Sequence, residues 1–510
     1  MTAIQLDTSA TQLDAPRGLV AWQDRPAVAY PVLLALAVAL VMPTYLGHPL
    51  LHDSFAINWV WADQFTAELA RGNFYPRWLP LSNGGLGAPV FYYYPPLAFH
   101  VAGIFGLLGL STYESVIATF AAGFALSGIT CWHWQRGRSN HPLLGAAFFA
   151  AAPYHLFDYV VRGALAESFA IAFIPLIAIG LRRIAERRGG IVFTAIAYGG
   201  IICTHLPLAL LVSVLLISPY ALVHRAQMRS FAIGVSFGIA LAAIYLVPAF
   251  ALEPFRDVNQ LFRSANLRPA YWNITASNWD NGVFLAVFAI VAALALAAAL
   301  PAWRGDRWAI YAITVCVLVT GLVPFFWSLP LLEKVQFPYR ALPIAEFGLA
   351  FALARLPSKS LVVAAALPLA LSALLLPGFN LGGSDMRRLR EMHPDVAEYL
   401  PPNVIPQGKT DTKLEDVLTP RIPSPLVSGM VVKPVFYFPA WSCGQPEPRT
   451  QLLMHEPGCR PELRWTNPEK TGAIITLIAA LALLVYSLAN RSGPPNVALS
   501  SWKKAQNIWV

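Results

Sequence analysis

The chain has 510 residues, of which 56% are hydrophobic and only 12% charged, and its formal net charge is +9. A soluble globular domain carries about twice that charge fraction, so the composition excludes that class and points to a polytopic helical membrane protein. The positive excess is no nucleic-acid signal, because the basic residues come in small clusters between apolar runs, as the positive-inside rule predicts.

Residues 1–26 read as a cytoplasmic N-terminal segment, and Ala27–Leu46 as the first span, nearly free of charge and long enough for a hydrocarbon slab of about 30 Å. It lacks a basic leader and a clear small-residue cleavage site, so it reads as a retained span rather than a signal peptide. Two more apolar runs follow, Pro95–Leu110 and Ser115–Trp134. The basic clusters are Arg17 and Arg25; Arg136 and Arg138; Arg182, Arg183, Arg187 and Arg188; Arg225 and Arg229; Arg304 and Arg307; Arg355 and Lys359; and Arg491, Lys503 and Lys504. With all of them cytoplasmic, each neighbouring pair must enclose an even number of crossings. Three crossings between Arg25 and Arg136 break that rule. Pro95–Leu110 is the weakest run, opened by two prolines and holding His100 and three glycines. It is expected to be a re-entrant or interfacial helix. Residues 47–114 then form one long outer loop.

The same parity gives spans near His141–Asp158, Glu167–Leu181, Ile191–Cys203, Leu206–Val223, Phe231–Leu252, Val283–Leu300, Trp308–Ser328, Ala341–Ala354, Leu361–Leu376 and Thr471–Ala489. The expected fold is thus an all-α bundle of about 12 transmembrane helices with both termini inside. The bundle occupies 27–377, an outer domain 378–470, the last helix 471–490 and a cytoplasmic tail 491–510. The outer segment is too long for a connector. Its strand-like "LVSGMVVKPVFYFPAW" and "QLLMHE" predict a small, mainly β domain. Cys443 and Cys459 lie within it. In an oxidising compartment they suggest a disulfide stabilising by about 3 kcal/mol, with two free thiols as the alternative.

No P-loop, dinucleotide fingerprint, HExxH motif or nucleophile elbow is present. What stands out is where isolated polar residues fall. His52 and Asp53 open "HDSFAINWVWADQFTAELARG", an amphipathic helix with Phe55, Trp59, Phe65 and Leu69 on its apolar side. Arg77 follows in "YPRW". Asp158, Arg162 and Glu167 lie in "DYVVRGALAE", His205 interrupts an apolar run, Glu333, Lys334 and Arg340 flank "QFPYR", and Glu346 lies a turn inside the next span. Parity puts all of them at the outer face. Charges beside a bilayer are costly and usually paired or functional. Their gathering suggests a cavity with carboxylates able to take a proton or bind a metal and arginines able to hold a phosphate. Taken singly, each has a plainer reading. Asp63, Glu68 and Arg71 suit a solvated helix face, Asp158–Arg162 an i,i+4 ion pair, and His205 a hydrogen-bonded helix breaker.

These stretches, with "NGGLGAPVFYYYPPL", "PYHLFDYVVRGALAE", Thr204-His205 and "QFPYRAL", resemble a bacterial membrane-protein family labelled 6-pyruvoyl-tetrahydropterin-synthase-related. The likeness covers about Leu51 to Ala345, and the C-terminal "VFYFPAW" and "RWTNPEKTGAI" echo a β domain before a last span. The layout in turn resembles the GT-C superfamily of membrane glycosyltransferases. That resemblance implies sugar transfer from a polyprenyl-phosphate donor to a glycan or lipid acceptor of the cell envelope, at the outer face of a bacterial inner membrane. It implies Asp53, beside His52, as general base or metal ligand, with Mg or Mn as the metal. Here a single Asp follows His52, where some GT-C families carry paired acids. Arg77, Arg162 and Arg340 are then the residues for the lipid phosphate, with Asp158, Glu167 and His205 lining the site. The glycines of Tyr75–Pro96 would let backbone approach a ligand, its aromatics would offer faces for sugar rings or an interfacial belt, and "PPLAFHVAGIFG" would form a groove for an isoprenoid chain. Two other readings stand beside this one: a transporter or flippase for lipid-linked precursors, and a non-catalytic partner in envelope assembly.

Overall fold

The structure, a computed structural model, describes residues 22–46, 53–276, 278–375, 396–402, 404, 426–427 and 429–491. Helix α1, Pro26–Leu46, buries one stripe, Ala29, Leu33, Ala37, Val41 and Thr44. That spacing follows the helical period, so one face meets the bundle and the other is left to lipid. The last helix, Asn467–Arg491, is more peripheral still, exposing Ile474, Leu477, Ile478, Leu481, Leu484 and Val485. Leu165–Ala185 is the opposite case, 83% buried over its apolar window against 28% for α1 and 17% for the last helix. It runs through the centre.

Among the described residues seven helices are long and apolar enough to cross a membrane: Pro26–Leu46, Thr112–Gln135, Pro142–Arg162, Leu165–Ala185, Leu206–Val223, Gly282–Trp303 and Asn467–Ala489. A bent pair, Arg225–Leu241 and Ala243–Ala251 meeting at 68°, makes an eighth if it is one span and otherwise a re-entrant loop. The protein is a multi-pass membrane protein, and the described helices do not confirm the expected count of about 12. The helices that fall short are Ile191–Ile202, Arg307–Val319 and Leu342–Ala354, at 12, 13 and 13 residues, while Lys359–Leu375 runs to the edge of the described residues. At 1.5 Å per residue the first three do not reach across a slab of about 30 Å. Apolar composition alone did not reveal where each helix ends. Leu342–Ala354 is buried along its whole length, so it is shielded by neighbouring helices rather than by lipid.

Between α1 and Thr112–Gln135 lies the expected long connection. It holds helix α2, Asp53–Ala70, and the 11-residue helix Leu97–Leu107. Eleven residues reach about 16 Å, half the slab. The short helix is tied at its start by a hydrogen bond from Leu97 N to Cys203 O at 2.9 Å.

The segment before the last helix forms a four-stranded antiparallel sheet in the order β1-β2-β4-β3, with β1 Leu426–Val427, β2 Met430–Phe436, β3 Gln445–Pro446 and β4 Leu452–His455. Cys443 and Cys459 are joined in a disulfide, their Cα atoms 6.7 Å apart, which closes the loop containing β3 and β4. This sheet unit packs on the first connection. Phe436 N donates to Leu86 O at 2.7 Å, Phe438 meets Tyr92 at 4.5 Å between ring centroids, and Trp441 meets Trp78 at 5.7 Å. Tyr92 and Tyr93 are buried against the sheet unit, while Phe91 is buried among Trp61, Phe65 and Phe99. Trp78, Tyr92 and Tyr93 thus serve as glue between loop and sheet, rather than as open faces for sugar rings. Gly87, at φ +78°, is needed there because a Cβ would sit 2.3 Å from the Trp78 ring.

Candidate functional site

The Pro142–Arg162 span ends in a π-helical turn, Asp158–Arg162, followed by Gly163 in the left-handed region at φ 59°. Single π turns recur at functional sites because the extra residue redirects side chains. Here the turn brings Arg162 over both Asp158 and the next helix. Arg162 Nη1 lies 2.7 Å from Asp158 Oδ1, 2.7 Å from Glu167 Oε2 and 3.2 Å from the Tyr154 hydroxyl. The Tyr154 hydroxyl in turn donates to Glu167 Oε1 at 2.6 Å.

A second arginine arrives from a distant part of the chain. Arg340 Nε donates to Glu167 Oε2 at 3.1 Å, and its Nη1 donates to Val335 O at 2.9 Å and to Gln336 Oε1 at 3.4 Å. His205 Nε2 lies 3.6 Å from the same Glu167 oxygen. Its Nδ1 accepts from Leu208 N at 3.3 Å, capping the helix that begins at Leu206. His205 is therefore both the expected helix breaker and a neighbour of the carboxylate. Glu346 closes the group from below, its Oε1 accepting from Tyr154 N at 2.6 Å.

Five of the sequence-derived residues, Asp158, Arg162, Glu167, His205 and Arg340, thus converge. Glu167 is 1% exposed and Asp158 0%, so the group is desolvated. Buried ions are tolerated when they balance and their remaining hydrogen-bonding capacity is used. Arg162 and Arg340 balance Asp158 and Glu167 in charge, but not all of the hydrogen-bonding capacity is used. Asp158 Oδ2 is buried with no hydrogen-bond partner among the described residues. This open oxygen, on a carboxylate paired with Arg162, can accept a proton, and the guanidinium groups of Arg162 and Arg340 can bind an oxyanion. Tyr154 and Gln336 were not singled out from sequence. Tyr154 sits four residues before Asp158 and eight before Arg162, a spacing that puts all three on one helix face. Gln336 carried no comparable signal.

Arg77 is placed elsewhere. It pairs with Glu469, at the start of the last helix, at 3.0 Å, and its guanidinium carbon stands 3.8 Å from the Tyr75 ring centroid and 4.5 Å from that of Trp465. Burial pushes the Tyr75 phenol above its ordinary value against the opposing pull of Arg77. His52 lies outside the described residues, as does the side chain of Asp53, whose backbone opens α2. The helix itself is seated beside the cluster. Asn58 Nδ2 donates to Gly163 O at 2.8 Å, and a Cβ on Gly163 would lie 2.5 Å from Phe55 Cβ. Among the described residues no three His, Cys, Asp or Glu side chains gather closely enough to share a metal. The side chain of Asp53, where Mg or Mn is expected, lies outside those residues.

No protein-family model matches the chain, and no curated protein matches it. The 6-pyruvoyl-tetrahydropterin-synthase-related label accordingly has no support beyond the motif likeness. Two solved structures are similar, the arabinofuranosyltransferase AftD from mycobacteria and a point mutant of it. The first is 19% identical over 71% of this chain, with a TM-score of 0.43; the second is 18% identical over 70%, with a TM-score of 0.44. The chain spans 27% of the length of each. Similarity at that level carries no assignment of activity. The fold and the site define a multi-pass helical membrane protein with a small β unit and a buried, charge-balanced cluster where several of its helices begin and end.

Proposed function

We propose that the protein is an integral-membrane glycosyltransferase of GT-C type, moving a sugar from a polyprenyl-phosphate donor to an envelope glycan or lipid acceptor at the outer face of a bacterial inner membrane. The observation that carries the reading is the seat of α2 on Gly163, the residue after Arg162, with Phe55 and Asn58 in contact. It supports the reading because the first turns of the helix that Asp53 opens pack on the residue after Arg162. In this reading Asp53 takes the proton from the acceptor hydroxyl, and Arg162 and Arg340 stabilise the leaving lipid phosphate. Glu167 holds both guanidinium groups in position, and Tyr154 and His205 hold Glu167. A positioned base contributes about 10²–10⁴ in rate, and the oxyanion partners act where negative charge develops.

A second reading, a flippase for lipid-linked precursors, is favoured by the 68° break at Ala242, since discontinuous helices are a transporter feature. One experiment separates the two. The protein in nanodiscs is supplied with radiolabelled polyprenyl-phosphate sugars and a panel of envelope acceptors. Label moving to an acceptor supports transfer. Label that stays on the lipid, but changes leaflet in proteoliposomes, supports the flippase and rejects the transferase.

A further inference from the structure

A cavity of about 510 Å³ lies between the connecting segments 262–273 and 321–334, outside the buried cluster. Its size falls in the range of small-ligand sites, about 300–1,000 Å³. Phe262, Arg268, Trp327, Ser328, Glu333 and Lys334 line it. Trp327 has its indole N–H tied to Leu318 O at 2.8 Å, so it offers ring surface rather than a donor. Lys334 stands 5.4 Å from the Phe262 ring centroid and 3.1 Å from Glu333. Ser328 donates to Pro324 O at 3.2 Å, which leaves its oxygen to accept. Arg268 makes one long hydrogen bond, to Phe262 O at 3.4 Å.

The turn that carries two of the lining residues, Glu333 and Lys334, is flanked by strained backbone. Leu331 and Gln336 hold φ at 73° and 66°, and both bracket the turn that presents Glu333 and Lys334. Gln336 is the centre of a three-residue turn closed by Phe337 N donating to Val335 O at 2.8 Å. Positive φ at a non-glycine is strained and persists where the surroundings hold it, often at ligand sites. Here the same turn supplies Val335 O and Gln336 Oε1 to Arg340. The turn that presents Glu333 and Lys334 to the cavity thus runs directly into the residues that hold Arg340.

We propose that this cavity binds an anionic, monosaccharide-sized ligand: a sugar carrying a phosphate or carboxylate. Arg268 and Lys334 meet the anion, the Phe262 and Trp327 rings lie against the sugar, and Glu333 and the Ser328 oxygen accept from its hydroxyls. The proposal concerns binding alone and does not rest on the transferase reading. It is tested with the full chain in phosphatidylcholine nanodiscs, titrated calorimetrically with glucose 1-phosphate and with glucose. Saturable binding is expected for glucose 1-phosphate and about tenfold weaker binding for glucose. Arg268→Ala and Lys334→Ala should each weaken glucose 1-phosphate about tenfold, while Arg263→Ala, outside the cavity, should not. Equal affinity for glucose, unchanged affinity in both cavity variants, or no saturable binding up to about 10 mM would overturn the proposal. Loss of sugar-phosphate binding when phosphatidylglycerol is added to the discs would also overturn it, and would assign the cavity to a lipid headgroup.

Discussion

Arg77 and Glu469 form an ion pair at 3.0 Å with side chains 5% and 1% exposed, joining the long first connection to the first turn of the last helix. Removing one member of such a pair strands the other, at a cost of about 3–5 kcal/mol, whereas replacing both by apolar residues of similar volume is often neutral. Arg77→Ala should therefore lower the melting temperature sharply in detergent, and Arg77→Met with Glu469→Leu should restore much of it. A double variant no more stable than Arg77→Ala would contradict the clamp.

Gly163 is the second joint. It holds φ at +59°, and an added Cβ would lie 2.5 Å from Phe55 Cβ and 2.9 Å from Phe55 N. Gly163→Ala must strain its own backbone and push α2 off its seat, at a cost of roughly 1–3 kcal/mol. Gly72, also at positive φ but with open space around it, carries the backbone strain without the clash. Thermal unfolding should place Gly163→Ala clearly below Gly72→Ala; equal effects would mean that α2 is not held there.

The membrane orientation rests on the helix Leu97–Leu107 not crossing. Reporter fusions after Trp134 and after Arg188 should both read as cytoplasmic. An outside reading at either position would mean that this short helix spans, and that the residues gathered around Glu167 face the other side.

Much of the cluster was legible in the sequence because charge in an apolar chain is conspicuous. Asp158, Arg162, Glu167, His205 and Arg340 each interrupt or flank an apolar run, and the structure draws them together. What sequence could not supply was which arginine goes where. Arg77 looks no different from Arg340 along the chain, but its partner Glu469 is almost 400 residues away and belongs to the last helix. The β strands were readable from "VVKPVF" and "LLMH", as was the long first connection. Helix lengths were not. Apolar runs such as Trp308–Ser328 continue past the point where the helix stops, because Gly321 at φ +74° ends it against Asn273 while hydropathy stays high. The aromatics of Tyr75–Pro96 were read as a ligand or interface surface because nothing local reveals that Phe438 and Tyr399 cover Tyr92 and Tyr93.

The most direct test of the account is sugar transfer by Asp53→Asn beside Asp63→Asn. Both residues lie on α2. Asp63 is exposed and accepts from the Thr112 hydroxyl at 2.6 Å, which an Asn side-chain oxygen can also do. Asp53→Asn keeps the size of the side chain and removes the base. Transfer rates are measured in nanodiscs from a radiolabelled polyprenyl-phosphate sugar, with melting temperature as a folding control. The account predicts that Asp53→Asn folds normally, binds the donor and loses about 10²–10⁴ in rate, while Asp63→Asn stays near wild type. Full transfer by Asp53→Asn would contradict it.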